Sequence, residues 1–374
     1  MILKSDCNHF PGDRPCKFNK ADGIECPNCT HYETPSTRIL IIKLDATGDV
    51  LRTTTLLPAL HAAYPGAHIT WITKGSAAEL FHHNPLVHRV LRHDAPETMY
   101  CLMAEQFDLV IHPDASPVSA PIATLAKGRE KRGFILGEGG HLVPLNKDAE
   151  HWLEMGAFDR LKQTNTRSYQ EIIHAITELP FKEEEIQLHL SEEERFHANQ
   201  FRHRHTIPDH HNIIGLNTGA SGRWKYKQWT FDGYADLIEK LLVKRDITVM
   251  LYGGPEEAER NAKLKAMYPE VVDTGTNNTL RSFFSLLSQA DIIVTGDTLA
   301  LHAATALGKK VICLFGPTSH HEIYDYGRIT KIYPLIPCLV CYKPSCTVSP
   351  NCMESISPET VFSATERLLA LPQL

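Results

Sequence analysis

The chain has 374 residues, enough for two domains of ordinary size, and 43% of them are hydrophobic, so each domain can bury a core. The charges are mixed and sum to −6, which gives no sign of a nucleic-acid-binding surface. No apolar run approaches the roughly 20 residues that span a bilayer, and the first residues, MILKSDCNHF, lack the apolar stretch of a secretory signal. We therefore expect a cytoplasmic protein.

Residues 1–36 are polar and show no clear period, which predicts a Cys-containing N-terminal arm. Strand-like and helix-like segments then alternate, beginning with the run RILIIKL from Arg38, a helix over about residues 50–63, and strands at 68–73 and 107–114. This alternation predicts a parallel sheet that is covered by helices on both faces. We expect a first Rossmann-like domain at residues 37–185.

Residues 147–210 are mostly helical and charged, and we interpret 186–210 as an interdomain linker. The alternation then resumes with strands that helix-like segments separate: NIIGLNTG, ITVMLYGG, DIIVTGD and KVICLFGP. We expect a second Rossmann-like domain at residues 211–356 and a C-terminal helix at 357–374. The predicted fold class is α/β, with two doubly wound domains that face a cleft at the carboxyl ends of their strands.

Polar residues follow the predicted strands abruptly, and such residues are expected to line the cleft. In the second half, turns rich in Gly, Ser and Thr run into helix starts, where free N–H groups and the helix dipole attract anions. Lys227 adds a full positive charge, and Glu256 or Glu257 could hold ribose hydroxyls. The turns together predict a nucleotide-diphosphate site, while the alternative is that each turn only caps its helix.

Two motifs that are absent from the sequence narrow the chemistry of this site. No Walker pattern is present, which counts against an ATPase or kinase of that type. No two Asp residues are separated by a single residue, an arrangement that metal-dependent nucleotide-sugar enzymes often use. We therefore expect Lys227 and helix dipoles, rather than a metal, to neutralise the diphosphate.

The turn after the first strand carries Asp49 behind Thr47 and Gly48. A carboxylate at this place could take a proton from an attacking hydroxyl. Two competing interpretations stay open: Asp49 only caps the helix that begins near Val50, or Asp114, which ends another strand, is the base.

Several segments recur in the same order in one known family: ILIIKLDATGDVLRTTTLLPALHAAYPGAHITWIT, FDLVIHPDASP, LNTGASGRWKYKQW, LYGGPEEAE, GDTLALHAATALGKKVICLFGPTS and the closing Cys-rich loop. From about Arg38 to its end, the chain resembles the ADP-heptose:lipopolysaccharide heptosyltransferases of glycosyltransferase family 9, which have the GT-B fold. The resemblance implies transfer of a heptose from ADP-heptose, or a related nucleotide sugar, to a hydroxyl of a lipopolysaccharide core or similar glycan. It also implies inversion at the anomeric carbon without a catalytic metal.

The resemblance assigns roles to individual residues. It implies that Asp49 is the base, that Lys227 contacts the donor phosphates, that Glu257 or Glu256 meets the nucleoside, and that Asp297 lies near the donor sugar. The other donor-side candidates, from the turns and from the resemblance, are Thr218, Ser221, Gly222, Thr298, Leu299, Ala300 and His302. The family usually has Gly where this chain has Leu299. Because Leu cannot take a positive φ cheaply, we expect a differently shaped loop or a different sugar.

The acceptor is left open between several alternatives. The Cys-containing arm looks closer to the branch that includes the autotransporter protein heptosyltransferases, some of which carry a cysteine-bound iron, so a protein hydroxyl is an alternative acceptor. A lipid-linked acceptor implies peripheral contact with the inner membrane. A nucleotide-sugar epimerase and a non-catalytic nucleotide-sugar-binding protein of the same fold are further alternatives.

The ten cysteines fall mainly into two clusters, and in a cytosolic chain such clusters suggest a metal or free thiols before disulfides. The first cluster is Cys7, Cys16, Cys26 and Cys29, and its CPNC end is typical of a metal knuckle. Since a bound metal would stabilise the fold of an arm that has no hydrophobic core of its own, we expect structural Zn or Fe there, with free thiols as the alternative. The second cluster has metal-like spacing as well, but free thiols are favoured at Cys338, Cys341, Cys346 and Cys352.

Overall fold

The computed structural model describes residues 1–220 and 226–372. The chain divides into two compact units. The first comprises Met1–Ala157 and Gln170–Gln187, and the second comprises Phe158–Tyr169 and Leu188–Leu374. Within the described ranges, each unit contains one six-stranded sheet. The prediction of two parallel-sheet α/β domains is confirmed, while the cleft and the domain boundaries drawn from the sequence stay predictions.

The strands of the first unit are ordered β3-β2-β1-β4-β5-β6 and are parallel except for the antiparallel pair β5–β6. They are β1 (Thr37–Ile42), β2 (Ala67–Thr73), β3 (Arg89–Arg92), β4 (Gln106–His112), β5 (Lys127–Leu136) and β6 (Leu142–Pro144). The second sheet is parallel throughout, in the order β12-β11-β10-β7-β8-β9. Its strands are β7 (Asn212–Asn217), β8 (Ile247–Tyr252), β9 (Val272–Asp273), β10 (Ile292–Gly296), β11 (Lys310–Leu314) and β12 (Ile329–Ile332).

Helices connect the strands, and α1 lies in the N-terminal arm. The first nine are α1 (Lys17–Asp22), α2 (Thr47–Thr53), α3 (Leu56–Ala63), α4 (Gly75–Ala78), α5 (Pro96–Ala104), α6 (Ala120–Leu125), α7 (Lys147–Ala157), α8 (Asp159–Thr164) and α9 (Tyr169–Ile176). The others are α10 (Glu192–Arg204), α11 (Phe231–Leu242), α12 (Ala258–Met267), α13 (Leu280–Leu287), α14 (Leu299–Ala306) and α15 (Pro358–Ala370). Within residues 1–220 and 226–372, every helix is too short or too polar to cross a bilayer.

Continuous apolar runs form the central strands of both sheets because helices cover both faces of each sheet. In β1, the side chains of residues 39–42 are all buried. Leu102 of α5 and Ala123 of α6 pack with Leu40 and Ile42 on one of these faces. The buried residues of α11 and α15 join the core of the second sheet, so the C-terminal helix belongs to the second unit.

Candidate active site

A cluster of polar side chains lies where β10 and β11 of the second unit end. The Nζ atom of Lys227 lies 2.7 Å from Oδ2 of Asp297 and 3.2 Å from the carbonyl oxygen of the same residue. The hydroxyl of Thr318 donates to the same Oδ2 atom, at 2.9 Å. The Lys227 and Asp297 side chains are 16% and 17% exposed, so solvent screens this ion pair only in part. We call Lys227, Asp297 and Thr318 the donor-side cluster.

Two glycines allow the backbone that carries Lys227 to cross close to these strand ends. A Cβ atom added to Gly296 would lie 2.3 Å from the Lys227 carbonyl oxygen. A Cβ atom added to Gly316 would lie 2.6 Å from Sγ of Cys352 and 3.1 Å from the Tyr226 carbonyl oxygen. Since real Cβ atoms essentially never approach within 3.0 Å, a side chain at Gly296 would displace the Lys227 backbone, and one at Gly316 would clash with Cys352 and crowd the Tyr226 carbonyl.

The turn from β10 into α14 has ordinary helix-start geometry. Thr298 is the N-cap residue and accepts a hydrogen bond from the Ala300 amide at 3.2 Å. Leu299 is the first helical residue, and it is not among the non-glycine residues of the described ranges that have a positive φ. Leu299 thus begins α14 without a positive φ, and the expectation of a differently shaped loop or a different donor sugar stays a prediction. Ala300 and His302 are buried in α14.

The turns after β7 and β8 meet at Glu257. Its side chain is buried, and its Oε2 atom accepts the Gly254 amide at 2.8 Å. A Cβ atom added to Gly219 would lie 2.2 Å from the Glu257 carboxyl carbon, so this carboxylate packs against the β7 turn. Burial raises the pKa of Glu257 because it disfavours the charged form. Glu256 is exposed, so of the two candidates only Glu257 is joined to a second turn.

Three other donor-side candidates, Thr218, Ser221 and Gly222, follow β7 in the sequence. Thr218 is fully buried, and its hydroxyl donates to Oδ1 of Asn261 at 2.6 Å, so we expect its side chain to support the turn. The Asn217 side chain, at the end of β7, donates to the Thr295 hydroxyl in β10 at 3.0 Å and to the Thr298 hydroxyl in the turn after β10 at 3.4 Å. Ser221 and Gly222 lie outside the described residues.

In the first unit, Asp49 is the third residue of α2, behind Thr47 and Gly48, and does not occupy the N-cap position. The N-cap residue is Ala46, and Asp49 is instead the acidic residue in the first turn of α2. Its Oδ1 atom lies 3.0 Å from Nε and 2.8 Å from Nη2 of Arg52. The Asp49 side chain is 37% exposed and the Arg52 side chain 11%, so this carboxylate is oriented and remains accessible.

Asp114, the rival base, is paired with a buried lysine. The Nζ atom of Lys43 lies 2.5 Å from Oδ1 of Asp114 and 2.8 Å from the Asp45 carbonyl oxygen. Only 4% of the Lys43 side chain is exposed. Protonation of Asp114 would remove a counter-charge from a buried cation, which makes Asp114 the poorer base.

Lys43 was not predicted as a functional candidate, and Thr318 was predicted only as part of residues 316–318, a strand-end turn expected to line the cleft. A lysine inside the otherwise apolar run RILIIKL was a usable signal, because a buried charge needs a partner. Thr318 lies in the turn after β11, and the sequence pattern predicted that turn only as a whole. Its hydrogen bond joins residues far apart in the chain, and no local pattern predicts such a pair.

The expected metal sites are not formed in the described part of the chain. No group of three or more His, Cys, Asp or Glu side chains there is arranged to hold a metal ion. One cavity of about 500 Å³ is lined by all four cysteines of the first cluster, Cys7, Cys16, Cys26 and Cys29. Apolar residues such as Ile2, Leu3 and Phe10 line the same cavity. In the second cluster, Cys338 is exposed, whereas Cys352 is buried against Gly316, and burial raises the pKa of the Cys352 thiol to about 11.

The chain is similar to known proteins along most of its length. The family model of glycosyltransferase family 9 (heptosyltransferase) matches residues 99–349. The chain is 25% identical to lipooligosaccharide heptosyltransferase 2 of Haemophilus influenzae over 307 residues, which are 75% of this chain and 84% of that protein.

Solved structures share its fold. A glycosyltransferase family 9 protein of Veillonella parvula superimposes with a TM-score of 0.72 at 17% identity, covering 90% of this chain and 97% of the other. A heptosyltransferase of E. coli, solved with ADP-2-deoxy-2-fluoro heptose, gives 0.60 at 20% identity, with 88% and 99% covered. The expected GT-B fold class is thereby confirmed. Because the family model matches more than half of the chain, this protein belongs to glycosyltransferase family 9, the heptosyltransferase family, and is a glycosyltransferase.

Proposed function

We propose that this enzyme transfers a heptose from ADP-heptose to a hydroxyl of a lipopolysaccharide core or similar glycan, with inversion and without a catalytic metal. The observation that carries the proposal is the donor-side cluster, in which a partly buried lysine and an aspartate meet beside the start of α14. The names of the relatives, which are lipopolysaccharide and lipooligosaccharide heptosyltransferases, support the donor and the acceptor class.

The donor is bound through its diphosphate and its ribose. Lys227 and the first N–H groups of α14 neutralise the diphosphate, and the start of a helix is a favourable place for such an anion. Glu257, held by the Gly254 amide, accepts hydrogen bonds from the ribose hydroxyls. Asp297 orients the sugar. Lys227 and the start of α14 thus supply the positive charge at the diphosphate in place of a metal ion.

The transfer is a single displacement. Asp49 takes the proton from the acceptor hydroxyl, and the acceptor oxygen forms a bond to the anomeric carbon on the face opposite the diphosphate. The bond between that carbon and the phosphate oxygen breaks, and ADP leaves with the electron pair. Lys227 stabilises the charge that develops on ADP. Arg52 holds the Asp49 carboxylate in one orientation through their hydrogen bonds.

A lipid-linked acceptor would bring the enzyme to a membrane surface, and we propose peripheral contact of this kind. In α5, Tyr100 and Met103 are 70% and 64% exposed, and the Lys127 ammonium group donates to the Met103 carbonyl oxygen. Exposed apolar side chains beside a lysine suit the boundary between water and anionic lipid. The enzyme should float with vesicles that contain phosphatidylglycerol, and Tyr100→Ser with Met103→Ser should abolish flotation. Equal flotation of both proteins would contradict this contact. The predicted cytoplasmic location stays a prediction.

The test of the proposed function is an incubation with ADP-heptose, with and without an extract that contains heptose-free lipopolysaccharide. We expect ADP release that depends on the extract and a lipid product heavier by one heptose in mass spectrometry. Heptose found on a protein instead would replace the acceptor with a protein hydroxyl. Conversion of ADP-heptose without any acceptor, or no reaction at all, would contradict the proposal.

A further inference from the structure

Asp297 receives two hydrogen bonds on one oxygen, from a charged group and from a neutral group. Lys227 and Thr318 lie 2.7 Å and 2.9 Å from Oδ2. Thr318 is 7% exposed, so its hydroxyl has little freedom to find another partner. Lys227, in contrast, carries the long flexible side chain and the charge that a diphosphate attracts.

The arrival of the donor therefore affects the two bonds differently. Under the proposed function, the diphosphate competes with Asp297 for the ammonium group of Lys227. If Lys227 turns toward the diphosphate, the Asp297 carboxylate keeps the hydrogen bond that the Thr318 hydroxyl donates to Oδ2. This bond, at 2.9 Å and from a buried hydroxyl, then contributes to holding Oδ2 of Asp297 in place.

The turn that carries Thr318 is itself held by the Cys-rich loop, residues 338–352. The Val340 amide donates to the Gly316 carbonyl oxygen at 3.2 Å, and the Tyr342 amide donates to that of Pro317 at 2.8 Å. Val340 and Tyr342 both have a positive φ, +62° and +51°, which is costly for residues with a Cβ and persists only where the surrounding structure enforces it.

The side chain of Tyr342 adds a third tie to this turn. Its hydroxyl accepts the Ser319 amide at 3.2 Å and donates to Oε1 of Glu322 at 2.7 Å. The Cys-rich loop thus joins the turn by two backbone bonds and one side-chain bond, on both sides of Thr318. The Cys-rich loop, where the sequence favoured free thiols over a metal, therefore supports the Thr318 turn in this geometry.

We infer that Thr318 is a positioning residue that keeps Asp297 oriented toward the donor sugar after Lys227 has turned to the diphosphate, and that Tyr342 holds Thr318 in place. The inference rests on the proposed function, because it requires a nucleotide-diphosphate sugar at this site. It adds two residues, and the loop that carries one of them, to the machinery of transfer.

The test compares Thr318→Val, which keeps the shape and removes the hydroxyl, with Thr318→Ser, which restores it. For Thr318→Val we expect kcat to fall about 10- to 100-fold, while the KM for ADP-heptose changes less than about threefold. Thr318→Ser should recover most of the activity. Thr330→Val makes the same change on β12, away from the strand ends, and should behave like the wild-type enzyme.

A double-mutant cycle separates positioning from a general structural effect. In an Asp297→Ala background, Thr318→Val should cause no further loss of kcat, because the group that it positions is gone. An equal further loss in that background, or a wild-type kcat for Thr318→Val, would overturn the inference alone. Absence of transfer by the wild-type enzyme would overturn the proposed function and this inference with it.

The role of Tyr342 is tested with Tyr342→Phe, which keeps the ring and removes both side-chain hydrogen bonds. We expect kcat to fall several-fold, in the same direction as for Thr318→Val, with retained ADP binding as evidence that the second unit is folded. Tyr342→Phe and Thr318→Val should not be additive, since both act through the orientation of Asp297. Full additivity, or an unchanged kcat for Tyr342→Phe, would exclude the support by Tyr342.

Discussion

Lys43 and Asp114 form an ion pair in the first unit, with 2.5 Å between Nζ and Oδ1, at a point where the lysine side chain is almost fully buried. The lysine stands directly after β1 and the aspartate shortly after β4, which pairs with β1 in the sheet. The pair therefore joins two neighbouring strand ends. This arrangement distinguishes Asp114 from Asp49, which is paired with Arg52 and more exposed, and it leads to the first prediction.

Asp114→Ala should lower the free energy of unfolding by about 2–4 kcal/mol, because it removes the carboxylate that is paired with the buried Lys43 cation. Urea unfolding followed by circular dichroism measures this value. The double variant Lys43→Met with Asp114→Leu should recover part of the loss, since it removes both charges. If Asp114→Ala instead abolished transfer with unchanged stability, Asp114 would be the base and Asp49 would not.

Asp49→Asn should lower kcat by about 10²- to 10⁴-fold, because an amide cannot accept the proton of the acceptor hydroxyl. Binding of ADP, measured by calorimetry, should be unchanged, since we assign the donor to the second unit. The matched control is Asp94→Asn, which removes one partner of the exposed Arg92–Asp94 pair and should keep wild-type activity. Normal turnover of Asp49→Asn would remove this residue from the mechanism.

Lys227→Ala should weaken ADP-heptose binding about 10- to 100-fold, because the diphosphate loses its charged partner. Lys227→Arg should retain more of the affinity, since it keeps the charge but changes the geometry. Lys263, which pairs with Glu259 on the surface of α12, provides the control, and Lys263→Ala should bind ADP-heptose normally. Equal affinities for Lys227→Ala and the wild-type enzyme would contradict the assignment of Lys227 to the diphosphate.

Glu257→Gln should weaken ADP binding about 5- to 100-fold, while Glu256→Gln should leave it unchanged. The reason is that the Glu257 carboxylate is held by the Gly254 amide and packs against Gly219, whereas Glu256 points to solvent. The two variants are titrated with ADP and with inosine diphosphate, which share the ribose and the phosphates. If Glu257→Gln weakens the binding of both ligands equally, the lost contact is with the shared part and not with the base. The reverse ranking of the two variants would assign the ribose to Glu256.

Glu257 should also give the stability of the ligand-free enzyme a specific dependence on pH. Burial raises the pKa of this carboxyl group in the folded state. The favourable contribution of Glu257 to the free energy of unfolding is therefore fully present below the pKa that this carboxyl group has in the unfolded chain. The contribution is lost as the pH rises through the folded-state pKa. The stability advantage of the wild-type enzyme over Glu257→Gln should be larger at about pH 4 than at about pH 7. Unfolding of both proteins in urea at the two pH values measures this difference in stability. A difference that grows with pH would contradict the prediction.

The sequence predicted those parts of the fold that local patterns determine. The apolar run before Asp45, for example, predicted β1. The single helix expected over residues 50–63 is two helices, α2 and α3. The Thr53 and Thr54 hydroxyls donate to carbonyl oxygens of the preceding turn, and such bonds compete with a continuous helix.

The contacts that define the candidate site could be predicted only in part. The sequence named Lys227 and Asp297 separately, but their ion pair depends on how β10 and its neighbours bring distant segments together. The spacing CPNC was compatible with a metal, yet spacing does not determine whether Cys7 and Cys16 approach that turn. In the structure, these thiols are distributed around a cavity instead.

The second unit includes the short segment Phe158–Tyr169, which precedes the rest of that unit in the chain. The ammonium group of Lys162, in α8, lies 4.8 Å from the ring centroid of Tyr342, and the Tyr169 amide donates to the Glu322 carbonyl oxygen at 2.9 Å. A shortened protein that began at Leu188 would keep every strand of the second sheet and still lack this support. Such a fragment would be a poor substitute for the whole enzyme in nucleotide-binding experiments, because it would lack the helix that contacts Tyr342.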